Sequence, residues 1–358
     1  KPSSLDPSNS VDDILNSVKE EVTKPTPNAL TIQLASITLN TLPQRANFLD
    51  YGIHFVSPDV LTKIASALNM SQTTLNGLCL KSGIILIRND LADEDIGGGV
   101  IFTAEAKRES IYIHEINHAI YSSIYSNPTT QNLILDTIAN LDSDPVGWTD
   151  IQYYIDVYQE AGESDLDYKT RLLNESLARI IELEYLREAN QPYEAWLLDV
   201  LYYYFSIDSN PQTVTIVLST GDIITVNINI SSNPYLRALQ LEIERIKIED
   251  DLVNPMLLDA IASGSQEELD AAIVTEEAVK IAEPLIYDIG ATKTEKITAF
   301  TKFKDFISKT VGAINTFGDF VTNAWQKLTS VFGQRDDSIE GETVNSFYDA
   351  CPEIVQKQ

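Results

Sequence analysis

Two histidines four residues apart, with a glutamate directly after the first, are the side chains in this chain best suited to chemistry. They are His114, Glu115 and His118, within Ile111–Ile120, where the remaining residues are uncharged. On a helix, residues i and i+4 project from one face, so both imidazoles can offer a nitrogen to one metal ion. Glu115 then sits beside the position that the protein ligands leave open, where a carboxylate can take a proton from an attacking water. The chain has only 3 histidines. The other, His54, lies upstream in Tyr51-Gly-Ile-His-Phe and reads as a core or surface histidine.

This H-E-x-x-H spacing is the arrangement of zinc metallopeptidases. Tyr112, Ile116, Asn117, Ala119 and Ile120 suit the longer signature, which keeps charge out of the flanks. Zn²⁺ is therefore the expected cofactor. The third ligand is expected to be a carboxylate on a second, downstream helix. Glu175, in Leu173-Asn-Glu-Ser-Leu-Ala-Arg, is the choice: it lies 175 − 118 = 57 residues beyond His118, and Asn-Glu-x-x-Ala is a usual setting for a gluzincin ligand. Asp156, Glu160 and Glu182 are its competitors.

The stretch from Tyr158 to Ala178 resembles the third-ligand segment of the catalytic-domain family shared by anthrax lethal factor and the Pro-Pro endopeptidases. In that family a glycine precedes a catalytic tyrosine, which precedes the ligand glutamate at fixed spacing. Gly162, Tyr168 and Glu175 match without a gap (175 − 168 = 7), and Ala178 matches the small residue after the ligand. The similarity covers roughly residues 80–190. It implies a zincin fold, zinc held by His114, His118 and Glu175, and catalytic roles for Glu115 and Tyr168. Two departures are visible. Arg179 stands where an acidic residue is common, so support for the ligands is expected from elsewhere, with Glu182 the candidate. The stretch from His118 to Glu175 is longer than the family's and implies an extra helical insertion.

The expected reaction is zinc-dependent endopeptidase hydrolysis of a protein or peptide substrate. Glu115 would be the general base, and Tyr168 would donate a hydrogen bond to the carbonyl oxygen as it gains charge. An extended substrate could pair with Val100–Thr103 by strand addition. The competing expectation is a structural or delivery protein, such as a phage virion or ejected protein or a toxin component, carrying an ancillary or inert zincin-like domain.

The elements that must position these residues are mostly helical, in an α+β chain with a small sheet. Gly83–Arg88 and Val100–Thr103 read as strands from their β-branched content. Helical stretches are predicted at Val60–Leu68, Ala104–Ser126, Thr130–Leu141, Trp148–Ala161, Leu166–Ala189 and Tyr193–Phe205. Thr213–Leu218 and Ile223–Ile230 flank Ser-Thr-Gly-Asp, a hairpin signal. Helices resume at Pro234–Asp251 and beyond Pro255.

Composition bounds the rest. The 358 residues are 44% apolar, enough for a sizeable core. Lys and Arg number 25 against 53 Asp and Glu, a net charge of −28, which excludes nucleic-acid binding through a general basic footprint. Two cysteines, Cys79 and Cys351, exclude a disulfide framework. No run of 18 apolar residues reads as a membrane span. The sequence starts at Lys1 without a signal peptide, which reads as a processed or excised form, secreted or virion-associated. The expected organisation is an arm or linker over 1–29, a zincin-like domain over 30–207, a hairpin with helices over 208–290 and an amphipathic helical tail over 291–358. Within it, 291–335 holds seven Lys/Arg and three Asp/Glu, net 7 − 3 = +4, with six Phe and Trp325. That segment is expected to meet a membrane surface or an assembly partner.

Overall fold

The computed structural model describes residues 52–67, 75–80, 84–143, 147–270 and 272–273. Expectations for 1–29 and 291–335 lie outside these residues. Among the described residues the division into two compact units falls after Gly264. The first unit carries every element below.

The chain enters through β1 (Ile53–Val56) and turns at Ser57, whose carbonyl accepts the N–H groups of Val60 and Leu61, into α1 (Pro58–Ala67). Strands β2 (Gly77–Cys79) and β3 (Ile85–Arg88) follow. β3 is the centre of a three-stranded sheet, parallel to β1 and antiparallel to β2. Its Ile85, Leu86 and Ile87 are buried on both faces, as a central strand's run of apolar residues requires. Val56, Val60, Leu61, Leu78, Ile84 and Leu86 join α1 to the sheet in one apolar cluster.

The expected strand at Val100–Thr103 is shorter and lies elsewhere. β4 (Glu94–Asp95) and β5 (Ile101–Phe102) form a separate two-stranded ribbon, with Val100 and Ile101 exposed. Three successive glycines at positive φ, Gly97 to Gly99, make its turn.

Two long helices carry the candidate site residues. α2 (Ala104–Ser126) is capped by Thr103, whose hydroxyl accepts the Ala106 N–H. Asn127 closes it and opens α3 (Pro128–Leu141): its N–H bonds back to Ser123 O and Ile124 O, and its side chain accepts the Thr129 N–H. α4 (Gly147–Ile155) stops six residues before the predicted Ala161, because Asp156 turns left-handed at φ 58°. α5 (Asp165–Glu188) follows, capped by Ser164, with Asp165 and Asp167 in the first turn and Arg187 in the last, all favourable to the helix dipole.

α2 and α5 run antiparallel. Glu109 meets Tyr185, His114 meets Glu182 and His118 meets Glu175, so numbers rise on one helix as they fall on the other. After α6 (Ala195–Tyr204), the predicted hairpin forms as β6 (Gln212–Val217) and β7 (Ile223–Ile228). Position 207 lies inside this unit: Ser231 Oγ donates to Phe205 O, and Arg187 reaches across to Asn229 Oδ1. α7 (Pro234–Glu249) and α8 (Pro255–Ser263) complete the unit. They brace α2, where fully buried Tyr112 donates its hydroxyl proton to Leu252 O and Arg108 donates to Ile261 O and Ala262 O at the end of α8. Gly264 ends that helix at φ 68°, and a Cβ there would stand 2.9 Å from the Arg108 guanidinium carbon. No helix among the described residues is long and apolar enough to cross a membrane.

Candidate metal centre

Three of the predicted site residues meet. Glu175 Oε2 lies 3.6 Å from His114 Nε2 and 3.6 Å from His118 Nε2. The ligand atoms all fall within 4.8 Å of one another, and among the described residues this is the one cluster of His, Cys, Asp or Glu with that property. Bonds of ~2.0–2.1 Å to a tetrahedral zinc separate the ligand atoms by ~3.3 Å. The observed spacing therefore fits a single ion held by two imidazoles and one carboxylate.

The imidazoles reach this position because α2 places them one turn apart. Their ring centroids lie 4.7 Å apart at 80°. His114 is held further by Glu182, whose Oε2 is 3.0 Å from Nδ1 and 2.9 Å from Arg179 Nη1. A proton on Nδ1 bonded to a carboxylate turns Nε2 toward the site, the usual support of a metal-binding histidine. The sequence placed Glu182 both among the competing ligands and as this support; its contact is with the far nitrogen of His114. Asp156 and Glu160 lie in the turn between α4 and α5 and are not in the cluster.

Electrostatics match the grouping. Burial lowers the His114 pKa, but the hydrogen bonds its ring donates to Glu175 and Glu182 outweigh that and raise it to about 10. Burial likewise raises Glu175, and the two histidines and Arg179 overcome that, holding it at about 2. Both shifts describe a place where positive charge is favoured between carboxylates, the electrostatic setting that a divalent ion also requires.

Glu115 is buried one residue past His114. Burial raises its pKa, His118 and His114 oppose the shift, and the Cys79 backbone N–H hydrogen-bonds its carboxylate. A Cβ on Gly77 would sit 2.9 Å from Glu115 Oε1 and 2.4 Å from Ile111 Cγ2. Only a glycine lets β2 approach α2 this closely. Neither Gly77 nor the Cys79 amide is legible as a functional group in the sequence, because a three-residue strand carries no alternation. The glycine is the one available signal. The Cys79 thiol is pushed up by burial and by Glu115.

Tyr168 is engaged elsewhere. Its hydroxyl donates to Gln152 Oε1 at 2.7 Å and lies 3.2 Å from Val157 O. It is buried, with the Arg171 guanidinium 5.8 Å over its ring. It shares the continuous helix α5 with Glu175 (175 − 168 = 7 residues, two turns), but its hydroxyl anchors the turn after α4. His54, on β1, is partly buried with its Nε2 enclosed and unpartnered, and desolvation lowers its pKa to about 4; it is not among the clustered ligands.

The described fold and site thus define a mostly helical α+β protein with a His-His-Glu candidate metal centre between two antiparallel helices. Compared with protein-family models, characterised proteins and solved structures, the chain matches none.

Proposed function

We propose that this chain is a zinc-dependent endopeptidase of the gluzincin kind. The observation that carries the reading is the equal 3.6 Å approach of Glu175 Oε2 to the Nε2 atoms of His114 and His118, with Glu115 buried alongside. When bound, zinc would activate a water and polarise a peptide carbonyl. His114, His118 and Glu175 would hold it, and Glu182 fixes the first imidazole.

Glu115 is the general base in this reading. It accepts the proton of the attacking water and returns it to the leaving amine. Its burial, which raises its affinity for a proton, suits a group that must carry one between two partners. The Cys79 N–H restrains the carboxylate. β2, not Val100–Thr103, is the strand that lies against Glu115. Tyr168 remains the proposed oxyanion donor only through release of Gln152 and Val157.

The test is elemental analysis of protein purified without chelator, paired with peptide cleavage. One zinc per chain is expected. Glu115→Gln should retain that zinc and lose cleavage, because Glu115 is not a ligand. Absence of zinc together with no uptake on addition would overturn the reading.

A further inference from the structure

Tyr153 on α4 and Trp196 and Tyr203 on α6 are 72%, 55% and 78% exposed. Exposed aromatics scattered singly are ordinary. These three are joined. The Tyr154 ring bridges the two helices: its centroid lies 5.4 Å from that of Tyr153, 6.1 Å from that of Trp196 and 6.4 Å from that of Tyr204. The Tyr204 ring lies 5.3 Å from that of Tyr203. Five rings thus form one connected aromatic surface across the α4–α6 pair. A joined aromatic surface left open to solvent marks a binding face.

Spacing puts a carboxylate on the same face of each helix. Asp150 precedes Tyr153 and Tyr154 by three and four residues, and Asp199 follows Trp196 by three and precedes Tyr203 by four. Residues at those separations are neighbours on a helix surface. Asp150 also accepts the Tyr204 hydroxyl proton, which fixes that carboxylate across the helix pair, and Asp199 is exposed. Neither helix carries a Lys or Arg, and none occurs in 147–168 or in 188–236. Lys169 and Arg187, which approach these helices from α5, are engaged. Lys169 is held by Asp142 and Asp165, and Arg187 bonds to Asn229 Oδ1 over the ring of buried Tyr202.

The chemistry selects the occupant. A ring face is the negative side of an aromatic quadrupole, and the two carboxylates add to it, so the surface attracts cations and repels anions. A chain of net −28 is a poor match for a second copy of itself and for an anionic membrane. A sugar stacks on a flat platform. Here Tyr153 and Tyr154 stand at 78°, Tyr154 and Trp196 at 62°, and Tyr203 and Tyr204 at 79°. Rings crossed in this way offer walls to a compact charged group.

We propose that the α4–α6 face is a docking site for a Lys/Arg-rich segment of a partner polypeptide. Cation–π contacts with Tyr153, Trp196 and Tyr203 and the carboxylates of Asp150 and Asp199 hold the segment. The site is independent of the metal reading, and none of its residues is assigned there to zinc or to catalysis.

Fluorescence anisotropy of a labelled oligoarginine peptide with the full chain tests this. A chain this acidic attracts any cation, so the deciding comparison leaves its charge unchanged. Trp196→Ala combined with Tyr203→Ala removes two neutral rings and should weaken binding about 5- to 30-fold, since each exposed cation–π contact is worth roughly 2- to 5-fold. Tyr153→Ala alone should weaken it about 2- to 5-fold, and it decides the matter if the double variant does not fold. Oligoglutamate should not bind. Equal affinity in the folded ring variants means general charge attraction and overturns the site. So does the absence of oligoarginine binding, or a self-association of the chain that the ring substitutions abolish. Preference for a neutral oligosaccharide or a neutral proline-rich peptide over oligoarginine, lost in the same variants, also overturns it.

Discussion

Glu182 grips the Nδ1 of His114 at 3.0 Å while Glu175, 182 − 175 = 7 residues earlier on the same helix, approaches the Nε2 of that ring at 3.6 Å. Seven residues are two helical turns, about 10.5 Å of rise, so one face of α5 holds both ends of a single imidazole. Arg179 lies between them in sequence and bonds to Glu182. A basic residue where relatives of the expected family carry an acid thus steadies the carboxylate that supports the histidine.

Removal of Glu182 separates support from ligation. Glu182→Ala should weaken zinc binding about 10- to 100-fold without abolishing it, the usual cost of losing a partner behind a metal-binding histidine. Glu175→Ala should cost far more, since two imidazoles alone hold zinc poorly. Competition with a chromophoric chelator measures both. Equal losses would make Glu182 a ligand.

Gly77→Ala introduces a methyl group 2.9 Å from Glu115 Oε1. Its nearest neighbour, Ile111 Cγ2 at 2.4 Å, must also give way. The expected result is zinc content near one per chain with kcat reduced at least tenfold, because the base is displaced while the ligands are not. Unchanged kcat would mean that β2 yields and that its closeness to Glu115 has no catalytic consequence.

Tyr168→Phe deletes the bonds to Gln152 and Val157. Stability should fall by about 1 kcal/mol, read from denaturant midpoints, as for the loss of one buried hydrogen bond. Zinc content should hold. A simultaneous fall in kcat of about 10²–10³ would show that the hydroxyl leaves its anchors to serve an oxyanion. A stability loss with kcat intact assigns it to the turn after α4 alone.

Glu184, on the face of α5 away from the ligands, gives a pH signature. Burial lifts its pKa from 4.5 to about 7, against the opposing hydrogen bond from Tyr202. The folded chain therefore keeps a proton that the unfolded chain releases. The stability linked to that proton is full below about 4.5 and is lost as pH rises through about 7. Glu184→Gln should flatten this part of the pH dependence relative to wild type. Urea midpoints at pH 5 and pH 8, with chelator present, give the comparison; parallel curves would refute the assignment.

That His114 and His118 share one helix face was legible in the sequence because a helix's period is a local property. Four residues make about one turn whatever the rest of the chain does. The helices carrying His114 and Glu175 and the β6–β7 hairpin were legible for the same reason, through periodicity, caps and turn residues. Asp156 was not, because a left-handed residue ends α4 early and no glycine or proline announces it. Which carboxylate completes the cluster was a matter of long-range packing. Asp156, Glu160, Glu175 and Glu182 are alike in type, and only the antiparallel register of α2 against α5 brings Glu175 to the two Nε2 atoms and Glu182 to the far nitrogen. The same packing set β2 rather than β5 against Glu115 and tied the Tyr168 hydroxyl to Gln152. Local spacing determines which groups one helix can present together. Contacts across 57 residues (175 − 118) depend on how whole helices bury their faces against one another, and that is decided only in the folded chain.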